Sequence, residues 1–205
     1  SVNIPKSRQA STDHVEAKDG TVGRPITGVA VKVTDLDSDE ELGTEQAGML
    51  WVKGPNIMKG YYGREDLTNE VIVDDWYKTG DVALIDKDGF IKITGRMSRF
   101  SKIGGEMVPH IKVEENLHEL GGLTEQTFVV TGVPDERKGE RLVVLYQNLD
   151  ESAVQSVVEK LGASDLPNLW KPRSDQFFKV EALPYLGTGK LDLKQIKTLA
   201  AELSP

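Results

Sequence analysis

The stretch GRMSRFSKIGGEMV, Gly95 to Val108, sets two adjacent glycines, three basic residues and one isolated isoleucine in a segment too irregular for plain helix or plain strand. Gly-rich basic loops of this kind bring backbone N–H groups and cations close to a phosphate or to a narrow ligand channel. The competing reading is a surface hairpin whose glycines serve only its turn. The choice rests on the flanks, YKTGD (Tyr77 to Asp81) upstream and LPYLGTGK (Leu183 to Lys190) downstream.

The surrounding composition narrows the classes. With 205 residues the chain has room for one large domain or two small ones. Its apolar content is ordinary for a folded protein. A net charge of −8 argues against a nucleic-acid binder, which needs a basic stripe. The absence of cysteine excludes disulfides, thiolate zinc sites and thiol nucleophiles, and fits a cytoplasmic protein. No run of about 18 apolar residues is present to span a membrane. The N-terminus lacks a signal-peptide core and starts without Met, so the expectation is a piece of a longer polypeptide.

Taken in order, residues 1–20 are polar and aperiodic and read as a loop or disordered start. Val29 to Thr34 alternates as a strand, residues 35–41 form an exposed acidic loop, and Met49 to Lys53 is a second strand closed by Gly54-Pro55. A polar stretch with Glu65, Asp66 and Thr68 follows. YKTGD then leads into two short strands, Val82 to Ile85 and Phe90 to Thr94, joined by an Asp-Gly turn at 86–89. Residues 21–94 therefore read as a small all-β unit.

Beyond residues 96–99 helices and strands alternate. Pro109 suits a helix start, with Val113, Leu117 and Leu120 on one face and Gly121-Gly122 at the end. Thr127 to Val130, Leu142 to Tyr146 and Phe177 to Val180 read as strands, the middle one apolar enough to be covered on both faces. Asp150 caps a helix carrying Val154, Val157, Val158 and Leu161. Asp192 and Gln195 form a capping box for a last helix with Ile196, Leu199, Ala200 and Leu203 as its buried stripe. Trp76 and Trp170 read as core, and His110 and His118 as helix-surface residues rather than metal ligands.

These segments together resemble the adenylate-forming, or AMP-binding, superfamily of acyl-CoA synthetases, peptide-synthetase adenylation domains and firefly luciferase. GMLWVKGPNIMKGYYG (Gly48 to Gly63) is similar to its G-E-[IL]-x-[VI]-x-G-P-x-[VI]-M-x-G-Y segment, and YKTGD to its Y-[RK]-T-G-D. GRMSRFSKIGGEMV stands at its hinge and following loop, and LPYLGTGKLD at its C-terminal lysine loop. Four motifs in order and spacing cover about residues 21–195. Within the superfamily, RFSKIGGEMV and LPYLGTGK look most like the bacterial acyl-[acyl-carrier-protein] synthetase/2-acylglycerophosphoethanolamine acyltransferase group.

The resemblance implies an α+β fold: residues 21–96 as a β-subdomain ending an N-terminal adenylation domain, and residues 97–205 as a mobile lid. It implies an enzyme that activates a fatty acid with ATP as acyl-AMP and passes it to a pantetheine thiol on acyl carrier protein or CoA, in phospholipid acyl recycling for the narrower group. Lys190 corresponds to the lysine aimed at charge building on the phosphate. Asp81 corresponds to the carboxylate that accepts both ribose hydroxyls, with Thr79 beside it, and Arg96 to the arginine on ribose or phosphate. Ser98 stands at the hinge, where Asp or Lys is usual. Lys102, Gly104 and Gly105 match the loop that serves the thiol step, the glycines admitting the thin pantetheine arm. Glu106 replaces a common aromatic there.

The family's phosphate loop and its aromatic-Gly-x-Thr-Glu motif, whose Glu helps to hold Mg²⁺, are not in this sequence. ATP and Mg²⁺ are therefore expected to be held mainly by the rest of the polypeptide, with no metal site here and no adenylation by the chain alone. The parent enzyme is expected in the cytoplasm, at the inner face of the bacterial membrane where it carries a membrane domain. His14 and Asp19 share the H-x4-D spacing of glycerolipid acyltransferase dyads, but in a polar segment without apolar framework the spacing reads as chance. The other class of reading is an acyl-CoA synthetase fragment or a non-catalytic docking module, for which Lys171, Arg173, Lys179, Arg99 and Lys102 form a basic patch facing an acidic carrier protein.

Overall fold

Strand pairing in the first half is organised by one long strand, Trp76–Ile85, which contains the whole of YKTGD. The structure is a computed structural model and describes residues 17–204, so His14 of the H-x4-D spacing lies outside the described residues. The chain divides into two compact units, residues 1–97 and 98–205. Among the described residues no helix is long and apolar enough to cross a membrane.

In the first unit β1 (Ala30–Thr34), β2 (Gly48–Lys53), β3 (Ile72–Val73), β4 (Trp76–Ile85) and β5 (Ile91–Arg96) form an antiparallel sheet. β2 flanks β4 on one side, and β3 and β5 pair with its two ends. Val33, Leu50, Ala83 and Ile91 make the apolar face. On β2, Trp51 sits in register between Lys32 and Lys78, both within cation–π reach of its ring, and its indole N–H donates to Thr34 Oγ1. The Asp86–Gly89 turn forms as expected, with Asp86 Oδ1 accepting from the N–H groups of Asp88 and Phe90.

Two features differ from the expected all-β unit. The polar stretch after Gly63 is a helix, α1 (Glu65–Val71). It has no buried residue and no capping side chain, so no apolar period marks it. The surrounding loop holds it: Thr68 Oγ1 accepts from Tyr61 N–H and donates to Arg64 C=O. YKTGD, expected as a lead-in, lies inside β4, because Tyr77 and Lys78 already pair with Val52 and Trp51.

The second unit is mixed α+β: β6 (Phe100–Ile103), β7 (Glu106–Pro109), α2 (His110–Gly121), β8 (Phe128–Asp135), β9 (Gly139–Tyr146), α3 (Glu151–Gly162), β10 (Phe177–Lys179) and α4 (Leu193–Leu203). β9 is central, paired along its length with β8 and, on its other edge, with β10 in parallel and with β6 at one residue. Its side chains alternate between two cores. Leu142, Val144 and Tyr146 face α2 and α3 with Phe128, Val130, Ile103 and Val108, whereas Val143 and Leu145 face α4 with Val129, Leu183 and Ile196. That is the two-sided burial expected of an apolar run.

The N-caps follow the sequence signals, except that the capping box expected of Asp192 and Gln195 is half formed, because Asp192 N–H donates to Pro184 C=O. Asp150 Oδ1 accepts from Ala153 N–H at 2.8 Å, and Asp192 Oδ1 from Lys194 and Gln195 N–H. Gly122 closes α2 in the left-handed region at φ 64°. Pro109 ends β7 and caps α2 rather than opening it. Leu203, expected in the buried stripe of α4, stays 37% exposed, while Ile196 and Ala200 are fully buried.

Of the two helix histidines, His110 is not a surface residue and His118 is half-buried. His110 is buried, its Nε2 2.8 Å from the equally buried Ser101 Oγ. On His118, Nδ1 lies 2.7 Å from Glu114 C=O and Nε2 accepts from Thr127 and Phe128 N–H, tying the end of α2 to the start of β8. Burial, assisted by the charges of Arg99 and Lys197, pushes the His110 imidazole down to about 3. The unfolded chain binds this proton near 6.5 and the folded chain refuses it until about 3, so stability is full above 6.5 and falls as the medium is acidified. The expected slope from this one group is about 1.4 kcal/mol per pH unit. Burial pushes the Glu114 carboxyl the other way, upward, and would mask part of the fall. Subtracting the urea stability of His110→Gln from that of wild type between pH 7 and 4 removes this background. Parallel curves would show that His110 does not titrate with unfolding.

Candidate active-site elements

In the first unit the elements meet at an irregularity in β4. Between the pairs Met49–Val82 and Trp51–Lys78, β2 has one residue and β4 has three, Thr79, Gly80 and Asp81. The same region of β5 carries its own register shift, between Val82 and Ala83 on β4. A bulge of this kind bends the strand and re-aims its side chains. Gly80 adopts φ 76°, a conformation that favours glycine. Thr79 Oγ1 fastens the bulge by donating to Leu50 C=O and accepting from Asp81 N–H.

The bulge sets Asp81 opposite Arg96, its register partner on β5, with Arg96 Nε 3.1 Å from Asp81 Oδ1. Arg96 also donates to Thr79 C=O at 3.2 Å. Burial, and after it Tyr61, pushes the Tyr77 phenol up, so a Tyr61–Tyr77 pair lies in the same electrostatic neighbourhood as Arg96 and Asp81. Thr79, Asp81 and Arg96 thus form one partly exposed cluster: an acceptor-only carboxylate and a planar cation on a rigid sheet. That suits a sugar diol next to a phosphate.

The Gly95–Val108 stretch resolves into the end of β5, a 3-10 turn at Met97–Arg99 and the antiparallel β6–β7 hairpin. Gly104 (φ 58°) and Gly105 (φ 88°) are its two turn residues, both in the left-handed region that a two-residue hairpin demands. The structure therefore has the hairpin alternative; the glycines still leave open space where a Cβ would stand. Lys102 lies on the exposed side of β6, and Ser98 in the 3-10 turn at the division between the units. Trp170, half-buried against the first core, donates its indole N–H to Glu106 Oε1 at 2.8 Å.

Lys190 sits in a second tight loop. Tyr185 and Leu191 bridge its base, Leu186 N–H donates to Lys190 C=O, and Gly189 N–H donates to Leu186 C=O. The backbone is fixed, while the exposed ammonium has no ion pair among the described residues. The two loops of this unit are rooted in different cores. Ile103 and Val108 of the hairpin pack with α2 and α3; Leu183 and Leu191 of the lysine loop pack with α4 on the other face of the sheet.

Not all of the expected basic patch is at the surface. Arg99 is buried against Glu114, which also accepts from Val130 N–H, and cannot face a partner. Lys171 and Arg173 instead line a cavity of about 480 Å³ with Arg137, Lys138 and Arg141. Asp135 is its acid, occupied in accepting from Arg137 and Lys138 N–H, which hold its carboxyl below the usual range. The three extra cations come from the DERKGER run at the β8–β9 turn.

Comparison with known proteins agrees with this fold. Residues 4–62 match the family described as AMP-binding enzyme. The chain is 30% identical over 183 residues to a long-chain-fatty-acid–CoA ligase of Salmonella typhimurium, covering 89% of this chain and 32% of that protein. It is 34% identical over 181 residues to a feruloyl-CoA synthase of Amycolatopsis sp., covering 87% and 35%. Among solved structures it is similar to ATP-bound MatB from Rhodopseudomonas palustris, with TM-score 0.71, 26% identity and coverage of 94% and 38%. It is also similar to o-succinylbenzoate CoA synthetase from Bacillus subtilis in complex with an acyl-adenylate, with TM-score 0.66, 25% identity and coverage of 87% and 35%. The chain spans about a third of the length of the curated relatives it matches.

Proposed function

We propose that the chain is part of an AMP-binding enzyme and supplies part of the site of an ATP-dependent, AMP-forming acid–thiol ligase, on the match of residues 4–62 to that family and the similarity to CoA ligases over most of the chain. The observation that carries this reading is that two chemically different loops, one around Lys190 and one around Lys102, are rooted in cores on opposite faces of one sheet. A unit built this way offers one loop at a time to a fixed site. That matches a reaction in two steps, phosphate chemistry and then thiol transfer.

In the first step a carboxylate oxygen attacks the α-phosphate of ATP, the bond to pyrophosphate breaks, and acyl-AMP forms. Asp81 accepts from the ribose hydroxyls, Thr79 and Gly80 hold it in position, and Arg96 lies beside the phosphate. Lys190 supplies the compact positive charge where the phosphate oxygens gain negative charge. In the second step a pantetheine thiolate attacks the acyl carbon and AMP leaves. Gly104 and Gly105 let the hairpin tip lie along the arm, and Ser98 absorbs the change of backbone angles between steps. Among the described residues no three His, Asp or Glu are grouped to hold a metal, and in this reading Mg²⁺ enters with ATP on residues outside this chain.

The thiol carrier is the finer question. The relatives are named as CoA ligases, and CoA is the first reading. The RFSKIGGEMV and LPYLGTGK strings favour acyl carrier protein and phospholipid acyl recycling as the second. The cavity of Arg137, Lys138, Arg141, Lys171 and Arg173 suits either a phosphate-bearing thiol or an acidic carrier surface.

The full-length protein is expected to catalyse fatty-acid-dependent ATP–pyrophosphate exchange, and the 205-residue chain alone to show none. Exchange by the chain alone would refute the partial-site assignment; none from the full-length protein with any carboxylate would refute the ligase. Thioester formation is then compared with CoA and with holo-acyl carrier protein. Turnover with the carrier protein alone, weakening as salt rises, selects the second reading.

A further inference from the structure

The β6–β7 hairpin is weakly joined to the sheet it extends. β6 pairs with β9 at one position only, Ile103 opposite Gly139, supplemented by Gly104 N–H donating to Lys138 C=O. A single ladder pair leaves a hairpin free to tilt about it, so its attitude must come from side chains. Besides Ile103 and Val108 in the core and Trp170 on Glu106 Oε1, three polar contacts reach its first strand and the turn before it. Arg99 is held by Glu114 and donates to Val130 C=O. Ser101 is held by His110. The third is Glu140, at the start of β9, whose Oε2 accepts from Lys102 N–H at 2.8 Å where the next ladder bond would otherwise stand.

Glu140 is built into this place. Gly132, across the β8–β9 pair, leaves the room: a Cβ there would collide with Ser101 Oγ and come within 3.1 Å of Glu140 Oε1. Lys197 on α4 approaches the same Oε1 at 3.8 Å. One carboxylate thus links the hairpin strand, the central strand and the helix of the second core, the core from which the Lys190 loop springs.

We propose that Glu140 is a positioning residue for thiol transfer, setting the attitude of the Lys102–Glu106 hairpin through the Lys102 amide. The proposal rests on the reading of that hairpin as the thiol-step loop. Glu140 touches no substrate. Its effect belongs to the second half-reaction alone, because the Lys190 loop is closed by its own backbone bonds.

Two measurements test this. In the 205-residue chain, Glu140→Ala is expected to raise hydrogen exchange at the Lys102 amide at least about tenfold, and Glu140→Gln, which keeps an acceptor, to leave it within about twofold. In the full-length ligase, Glu140→Ala is expected to slow transfer from supplied acyl-adenylate to the thiol about tenfold, with pyrophosphate exchange within about twofold and Glu140→Gln restoring transfer. Unchanged exchange at Lys102, or equal loss in both half-reactions with a lowered melting temperature, overturns the proposal. A wild-type ligase that performs neither half-reaction overturns the ligase reading instead, and the Lys102 exchange still decides whether Glu140 holds the hairpin.

Discussion

Lys190→Ala in the full-length ligase is expected to lower fatty-acid-dependent pyrophosphate exchange about 100- to 1,000-fold while thioester formation from supplied acyl-adenylate stays within a few-fold. The magnitude is that of removing one preorganised charge from a developing oxyanion. The asymmetry follows from the loop. Lys190 is exposed, outside any ion pair among the described residues, and held by a backbone that the substitution does not touch, so folding is unaffected. Pyrophosphate is produced only in the first half-reaction, which is where the ammonium is assigned. Lys190→Arg should recover little, because a planar fork does not replace a point charge on a loop this tight. Equal loss in both half-reactions would remove Lys190 from the phosphate step.

How much of this was legible in the sequence varied with the kind of signal. Asp150, Asp192 and the Asp-Gly turn at 86–89 announce themselves because one side chain satisfies nearby backbone groups, a local effect. The Leu142–Tyr146 run was legible because a strand covered on both faces needs no alternation. α1 was not, since a seven-residue helix with no buried side chain owes its existence to Thr68 and the loop around it. The bulge at Thr79–Asp81 was equally hidden, since it depends on the residue count of β2 opposite.

His110 and Arg99 show a different failure. Both were read by residue type, as surface polar groups, although His110 lies three residues before Val113 on the buried face of α2. The helical period carried the signal and polarity obscured it. Of the site, the elements were legible as motifs, but Gly104-Gly105 could not be separated into turn or cradle without the pairing of β6 with β7. Arg137, Lys138 and Arg141 join Lys171 and Arg173 only through tertiary folding, across some 30 residues of chain.

The buried pair of Arg99 and Glu114 should carry the largest stability effect in the second unit, with Glu114→Ala expected to cost about 3–5 kcal/mol in urea unfolding. The reason is what it leaves behind. The Arg99 guanidinium would remain desolvated with Val130 C=O as its remaining hydrogen-bond partner among the described residues, while Val130 N–H loses its acceptor. Glu114→Gln keeps an acceptor for Val130 N–H and should fall between Ala and wild type. Replacing both partners together, Arg99→Met with Glu114→Leu, removes both buried charges and should cost less than Glu114→Ala alone, because desolvation of two ions offsets most of their attraction. If the double variant were the less stable, the pair would be strongly net stabilising and the desolvation argument would fail here. Glu114→Ala costing under about 1 kcal/mol would show that water reaches Arg99.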